Sequence, residues 1–112
     1  TSQGFSFNIN GDWTLWLAGY NVDVISKGAM TPNAWNHICV TYESSKASIY
    51  LNGVPDTSGS FSQNIPAGTN LEIGHNVLAG KDNYFQGTID EVMVFDRMLT
   101  ETEIKQIYDL QK

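Results

Sequence analysis

His37 and Cys39 stand two residues apart in AWNHICVTYESSKASIYLNGV, residues 34–54. A thiol beside an imidazole is the material of a cysteine nucleophile and its base. Positions two apart on a strand face the same side, so the pair could meet. No neighbouring residue supplies a third group to orient the imidazole. A lone Cys is most often a small buried filler, so both residues are read as packing, with the His hydrogen-bonded. Asp90 and Glu91 are the other obvious pair. Strand neighbours point to opposite faces, whereas glycoside hydrolysis needs two carboxyls about 5–10 Å apart across one sugar. The stretch DEVMVFD, residues 90–96, has no carboxylates in the required alternation. The chain is therefore read as non-catalytic.

Recognition chemistry has better material. An aromatic ring can stack on the apolar face of a sugar while nearby amides and carboxylates hold its hydroxyls. Trp16, Tyr20 and Asn21 lie on or beside one expected strand, and Asp82, Asn83 and Tyr84 lie in an expected long loop. These six are the candidate ligand-binding residues. The competing reading packs Trp16 under a loop or against a subunit and uses Tyr84 to plug its own loop.

Such residues need a frame, and 112 residues suffice for one domain with a real core. Charged residues make up 16% of the chain, below the usual quarter, and Asn, Ser, Thr and Gly take their place. The net charge is −6 with six scattered basic residues, which disfavours nucleic acid. The single Cys rules out an intrachain disulfide. No apolar run approaches the ~20 residues of a membrane-spanning helix. The chain starts with Thr, the mark of a processed product or a piece of a longer polypeptide.

Alternation predicts strands over GFSFNIN, WTLWLAG and VDVIS, with a hairpin turn at Asn10-Gly11-Asp12. Trp13, Leu15 and Leu17 are expected on one face of the second strand. Residues 27–34 read as a loop. WNHICVTYE and ASIYLNG read as a hairpin turned at ESSK. Asn52-Gly53 begins a further turn, and Pro55 is expected to stop pairing. Residues 56–68 read as mostly loop with a short strand near Phe61, NLEIGH as a strand, and 75–86 as the longest irregular loop. GTIDEVMVFDRML reads as a final strand buried on both sides. Thr100 and Glu103 form a capping box, with Leu99 and Ile104 as its staple. Ile104, Ile107, Tyr108 and Leu110 then give a short helix an apolar stripe to lay on the sheet.

Four motifs occur in order: Trp35 to Tyr42, Tyr50 to Gly53, Gly87 to Val92 and Asp96 to Ile104. Together they resemble the laminin-G-like, concanavalin A-like jelly-roll superfamily across residues 1–112. The resemblance implies an all-β, antiparallel two-sheet sandwich with a short C-terminal α-helix. It also implies that N-terminal strands are missing, one of which would pair with IDEVMVF, and that something covers that edge. Some relatives hold a structural Ca²⁺ between the start of the domain and its last strand, which implicates Asp90; the competing reading has Asp90 bonding backbone groups or facing solvent. The calcium pair of the pentraxin-like branch is not matched, because GHNVLAGKDNYF keeps only Asp82 and Asn83 as oxygen donors.

The reading is an extracellular or cell-surface recognition or adhesion module for a glycan or protein, with calcium in a structural role. One alternative is an assembly subunit whose open sheet edge is completed by a partner chain or an oligomer. Another is an accessory fragment of a glycan-degrading enzyme.

Overall fold

The computed structural model describes residues 4–63, 65–78 and 80–112. Asn64 and Ala79, each inside an expected loop, lie outside that set. The first sheet has the order β1 (Ser6–Ile9), β2 (Thr14–Ala18), β3 (Asp23–Ala29), antiparallel throughout. The second has β4 (Ile38–Glu43), β5 (Lys46–Leu51) and β6 (Val54–Ser60), also antiparallel and in chain order. A third, two-stranded sheet pairs β7 (His75–Leu78) with β8 (Lys81–Tyr84), and helix α1 spans Glu101–Gln111. The protein is mostly β with one short C-terminal helix, as its alternating pattern requires.

The two larger sheets enclose the core. Leu15 and Leu17 of β2 and Val24 of β3 meet Ala47 and Ile49 of β5, with Met30 and Phe61 closing the ends. Phe7, Ile9, Val40 and Leu51 pack around them. Trp13 does not join this face as expected. It sits at φ 69 in the turn before β2 and is exposed. The Asp12 carboxylate organises that turn, accepting from the backbone N–H of Thr14 at 3.1 Å and its hydroxyl at 2.6 Å.

β3 runs on through Lys27 to Ala29, where a loop was expected. Asp56 of β6 is the reason: its carboxylate accepts from the N–H of Lys27 at 2.7 Å and of Gly28 at 2.9 Å, joining the edge strands of the two sheets. A register shift between Thr14 and Trp16 interrupts the β2–β3 ladder. The buried Ser26 hydroxyl fills the gap, accepting from Leu15 N–H at 2.8 Å and donating to Gly28 C=O at 2.7 Å. Ser26→Ala strands that buried N–H and should lower unfolding stability by about 1–3 kcal/mol in urea titration.

Pro55 does not stop pairing. It stands opposite Tyr50, across a register shift between Ile49 and Tyr50, and β6 continues to Ser60. Because β6 is an edge strand, the missing proline N–H faces no ladder partner. The turns follow expectation. Ser44 and Ser45 have φ 53 and 63, and Asn52 and Gly53 have φ 52 and 78. Two consecutive positive-φ residues are the geometry that matches strand twist in tight hairpins.

Beyond Phe61 three expectations fail. Leu71 and Ile73 are in no strand and are exposed. The expected loop 75–86 is instead a hairpin, with His75 opposite Tyr84 and Asn76 opposite Asn83. Gly74 at φ 86 turns the chain into it. The expected last strand is neither strand nor helix, and Val92, Met93, Val94 and Phe95 are all exposed. Apolar alternation marks a segment able to pair, but a strand exists only where another backbone completes the ladder.

The helix begins as expected. Thr100 Oγ1 accepts from Glu103 N–H at 3.2 Å, and Thr100 N–H donates to Glu103 Oε1 at 2.9 Å. The Arg97 guanidinium grips the same carboxylate at 2.9 and 2.6 Å. That ion pair, with the Thr100 N–H, holds the Glu103 carboxyl down to about 2. Leu99 and Ile104 are buried as the staple, whereas Leu110 is exposed and ends the stripe. Helix α1 packs against β6, with Tyr108 over Gly53.

Candidate functional site

The His37–Cys39 pair has lost the properties a nucleophile needs. Burial pushes the Cys39 thiol up and the His37 imidazolium down, so both are neutral groups near pH 7. No hydrogen bond joins them among the described residues. His37 is held instead by its backbone: its N–H donates to Asn52 Oδ1 at 2.8 Å, and its C=O accepts from Asn52 N–H at 2.7 Å. Its ring lies 5.8 Å from the Tyr108 ring. The expected side-chain partner is not there for Nδ1, which is buried and unpaired among the described residues. Helix packing, rather than a hydrogen bond, places this imidazole.

The candidate ligand residues separate into two groups. Trp16 is half-buried on the outer face of β2, opposite Asn8 of β1. Asn8 donates to Trp16 C=O at 3.3 Å and accepts from Asn76 Nδ2 at 2.6 Å. The β7–β8 hairpin is thereby tied to the outer face of the first sheet, on the side that carries Trp16. Trp16 Nε1 is buried and unpaired among the described residues, so its polar edge does not face solvent. The strand of Trp16 and the hairpin of Asp82, Asn83 and Tyr84 thus come together. Tyr20 and Asn21 do not join them. They sit in the β2–β3 turn, where Tyr20 N–H donates to Ser62 C=O at 2.7 Å and Tyr20 C=O accepts from the Ser62 hydroxyl at 2.9 Å.

The hairpin carries a cluster that sequence reading misses. His75 Nδ1 lies 3.0 Å from Glu72 Oε2, and Nε2 lies 2.9 Å from Asp82 Oδ1. The imidazole stacks on Tyr84 with centroids 4.7 Å apart and planes at 28°. Tyr84 is 70% exposed, so one ring face rests on His75 while much of the side chain is open to solvent. Two residues, Glu72 and His75, were absent from the candidate set. The Glu-x-x-His spacing does not reveal them, because only the hairpin brings Asp82 to the second ring nitrogen. Gly80 between two four-residue runs was the available signal.

Two carboxylates facing both ring nitrogens favour the doubly protonated ring. The hydrogen bond to Asp82, then that to Glu72, raises the His75 pKa above its ordinary value. A raised folded-state value means stabilisation that is full below about pH 6.5 and is lost as pH rises through the folded pKa. An NMR titration of the His75 ring should give a midpoint above 6.5, and Asp82→Asn should bring it down.

Asp90 is exposed, and its Oδ1 accepts from Glu91 N–H at 2.8 Å. A calcium ion takes six to eight oxygens. Among the described residues no group of three or more His, Cys, Asp or Glu side chains is arranged to hold a metal. Asp90 offers one carboxylate toward such a site.

The family model of the concanavalin A-like lectin/glucanases superfamily matches residues 1–105. The chain belongs to that superfamily. Its laminin-G-type member is the one matched, in accord with the motif order from Trp35 to Ile104. The fold is also similar to a crystal structure of an S-layer domain-containing protein, residues 221–444, from Clostridium thermocellum ATCC 27405. The TM-score is 0.63 at 21% identity, over 96% of this chain and 58% of that one. No curated protein matches the chain. At this identity the likeness concerns the fold alone, and the chain spans little more than half of that structure.

Proposed function

We propose that this laminin-G-like chain is a non-catalytic recognition module working outside the cell or at its surface, and that the β7–β8 hairpin is its glycan-binding face. The observation that carries this reading is Tyr84, braced by His75 and exposed, with Asp82 and Asn83 on the same short strand. A braced ring with the Asp82 carboxylate on the same face of the strand is suited to a sugar, with the apolar face of the sugar on the ring and a hydroxyl on the carboxylate, whereas Asn83 between them faces the other side. Superfamily membership supports the same class of function, and the similar S-layer domain-containing protein supports the location. Among the described residues no helix is long and apolar enough to cross a membrane.

Trp16, Tyr20 and Asn21 have different places in this proposal. Trp16 lies on the sheet face to which Asn76 ties the hairpin through Asn8, and Tyr20 and Asn21 form a separate exposed turn. Calcium at Asp90 belongs to the proposal as a site completed from outside the chain. On a glycan array, wild-type protein should bind a defined set of sugars, and Tyr84→Ala should reduce each signal about tenfold or more. Binding should persist in chelator, because among the described residues no group of three or more His, Cys, Asp or Glu side chains is arranged to hold a metal. An array without any hit, with and without added calcium, defeats the glycan reading.

The assembly reading draws on a different observation: the exposed apolar run between the hairpin and helix α1. That surface fits a protein rather than a sugar.

A further inference from the structure

Asn76 and Asn83 stand opposite each other in the β7–β8 ladder, and Asn76 donates to Asn8 of the first sheet. That face of the hairpin is turned to the sheet. Alternation puts His75, Asp82 and Tyr84 on the other face, turned to solvent. Lys81 alternates to the Asn83 side, so the titratable groups that face the His75 ring are Glu72, Asp82 and Tyr84. Glu72 lies in the segment before β7 and Asp82 in β8, so the imidazole ties the two together. Its side chain is 26% exposed, open enough to exchange a proton with solvent.

The protons on that ring decide whether both links can hold. An imidazolium has two N–H donors, one for each carboxylate, at 3.0 and 2.9 Å. A neutral ring has one donor and one lone pair, so one carboxylate oxygen then faces a lone pair. That link opens, and the ring plane, fixed by the two links together, is free to turn. Tyr84 depends on that plane. It stacks on the imidazole at 28°, and among the described residues no other ring packs on it. The bond to Asp82 raises the His75 pKa most and the bond to Glu72 less, so the Glu72 link is the one expected to open. A raised folded-state pKa keeps both links below the ordinary histidine value and loses one as pH rises through the folded value. We propose that the His75 proton is a switch for the hairpin: the doubly protonated ring holds Tyr84 in place to receive a sugar, and loss of the proton lets the sugar go. This rests on reading the hairpin as a glycan-binding face and assigns the regulation of that face. By reciprocity, a bound sugar tightens the hold of His75 on its proton.

The ring and the sugar are read separately. In ¹³C-labelled protein without ligand, the Tyr84 ring signals and the His75–Tyr84 cross-peaks should change with the same midpoint as the His75 ring. A glycan array run at about pH 6 and again at about pH 9 should lose about fivefold in signal at the higher value. Glu72→Gln should shrink that loss to less than about twofold, because an amide can accept from a protonated ring nitrogen and donate to a bare one. Equal signals at both pH values in the wild type overturn the switch and leave the glycan reading standing. Tyr84 signals that ignore the His75 titration overturn it too, as does a full fivefold loss in Glu72→Gln, which assigns the pH dependence to another group. An array blank at both pH values defeats the glycan reading and the release of sugar with it, and the Tyr84 signals then still decide whether the proton sets the ring.

Discussion

Ile49→Ala should lower unfolding stability by about 3 kcal/mol, within the 2–5 kcal/mol typical of such truncations. Ile49 is fully buried at the centre of β5, opposite Val40 of β4, and it belongs to the cluster with Leu15, Leu17 and Phe61. Removing its outer carbons forfeits their transfer from water and leaves a cavity between two sheets whose hydrogen-bonded ladders resist collapse. A domain of this size holds about 5–15 kcal/mol in total. A loss of that size should move the thermal midpoint down by about 10–15 °C in calorimetry. Ile49→Val keeps most of the volume and should cost only about 1 kcal/mol. If the two substitutions cost the same, packing between the sheets is not the source of stability.

Gly53→Ala should have the second largest effect, about 2–3 kcal/mol, from two separable causes. Gly53 has φ 78, which any residue with a Cβ adopts only under strain. The added carbon would also come within 2.8 Å of Tyr108 Cδ2 and 3.1 Å of its Cβ and Cγ. The β5–β6 turn and helix α1 cannot both stay where they are. The helix is expected to give way, because its contact with the sheets is small and the turn is fixed by the pairing of Leu51 with Val54. A double-mutant cycle separates the causes. In the Tyr108→Ala background the clash is gone and only backbone strain remains, so Gly53→Ala should cost about 1 kcal/mol. An equal cost in both backgrounds assigns the whole effect to the turn.

Helix α1 shows how much a local signal can specify. Thr100, Glu103, Leu99 and Ile104 define its start by contacts within one turn, and all form as read. The hairpin from Ile38 to Leu51 is equally local: Ser44 and Ser45 take the positive-φ turn, and the alternation around them sets the register. The candidate site is different in kind. Tyr84 and Asp82 are visible as an aromatic and a carboxylate. Their link to His75 and Glu72 depends on the register of β7 against β8, and the link to Trp16 depends on Asn76 reaching Asn8 across 68 positions. Neither distance is encoded in any short stretch.

By itself the sequence determined what each segment can do: the alternation of β1, β2, β4 and β5, the turns at Ser44-Ser45 and Asn52-Gly53, and the cap of α1. Each depends on backbone conformation and side-chain spacing within a few residues. The tertiary structure decided which capable segments found partners. It let β6 run through Pro55 at a sheet edge and drew β3 out to Ala29 through Asp56. It made a hairpin of 75–84 and left Val92–Phe95 without a ladder. A strand, unlike a helix, has its hydrogen-bond partners on another segment, so its formation is settled by what the chain brings alongside it.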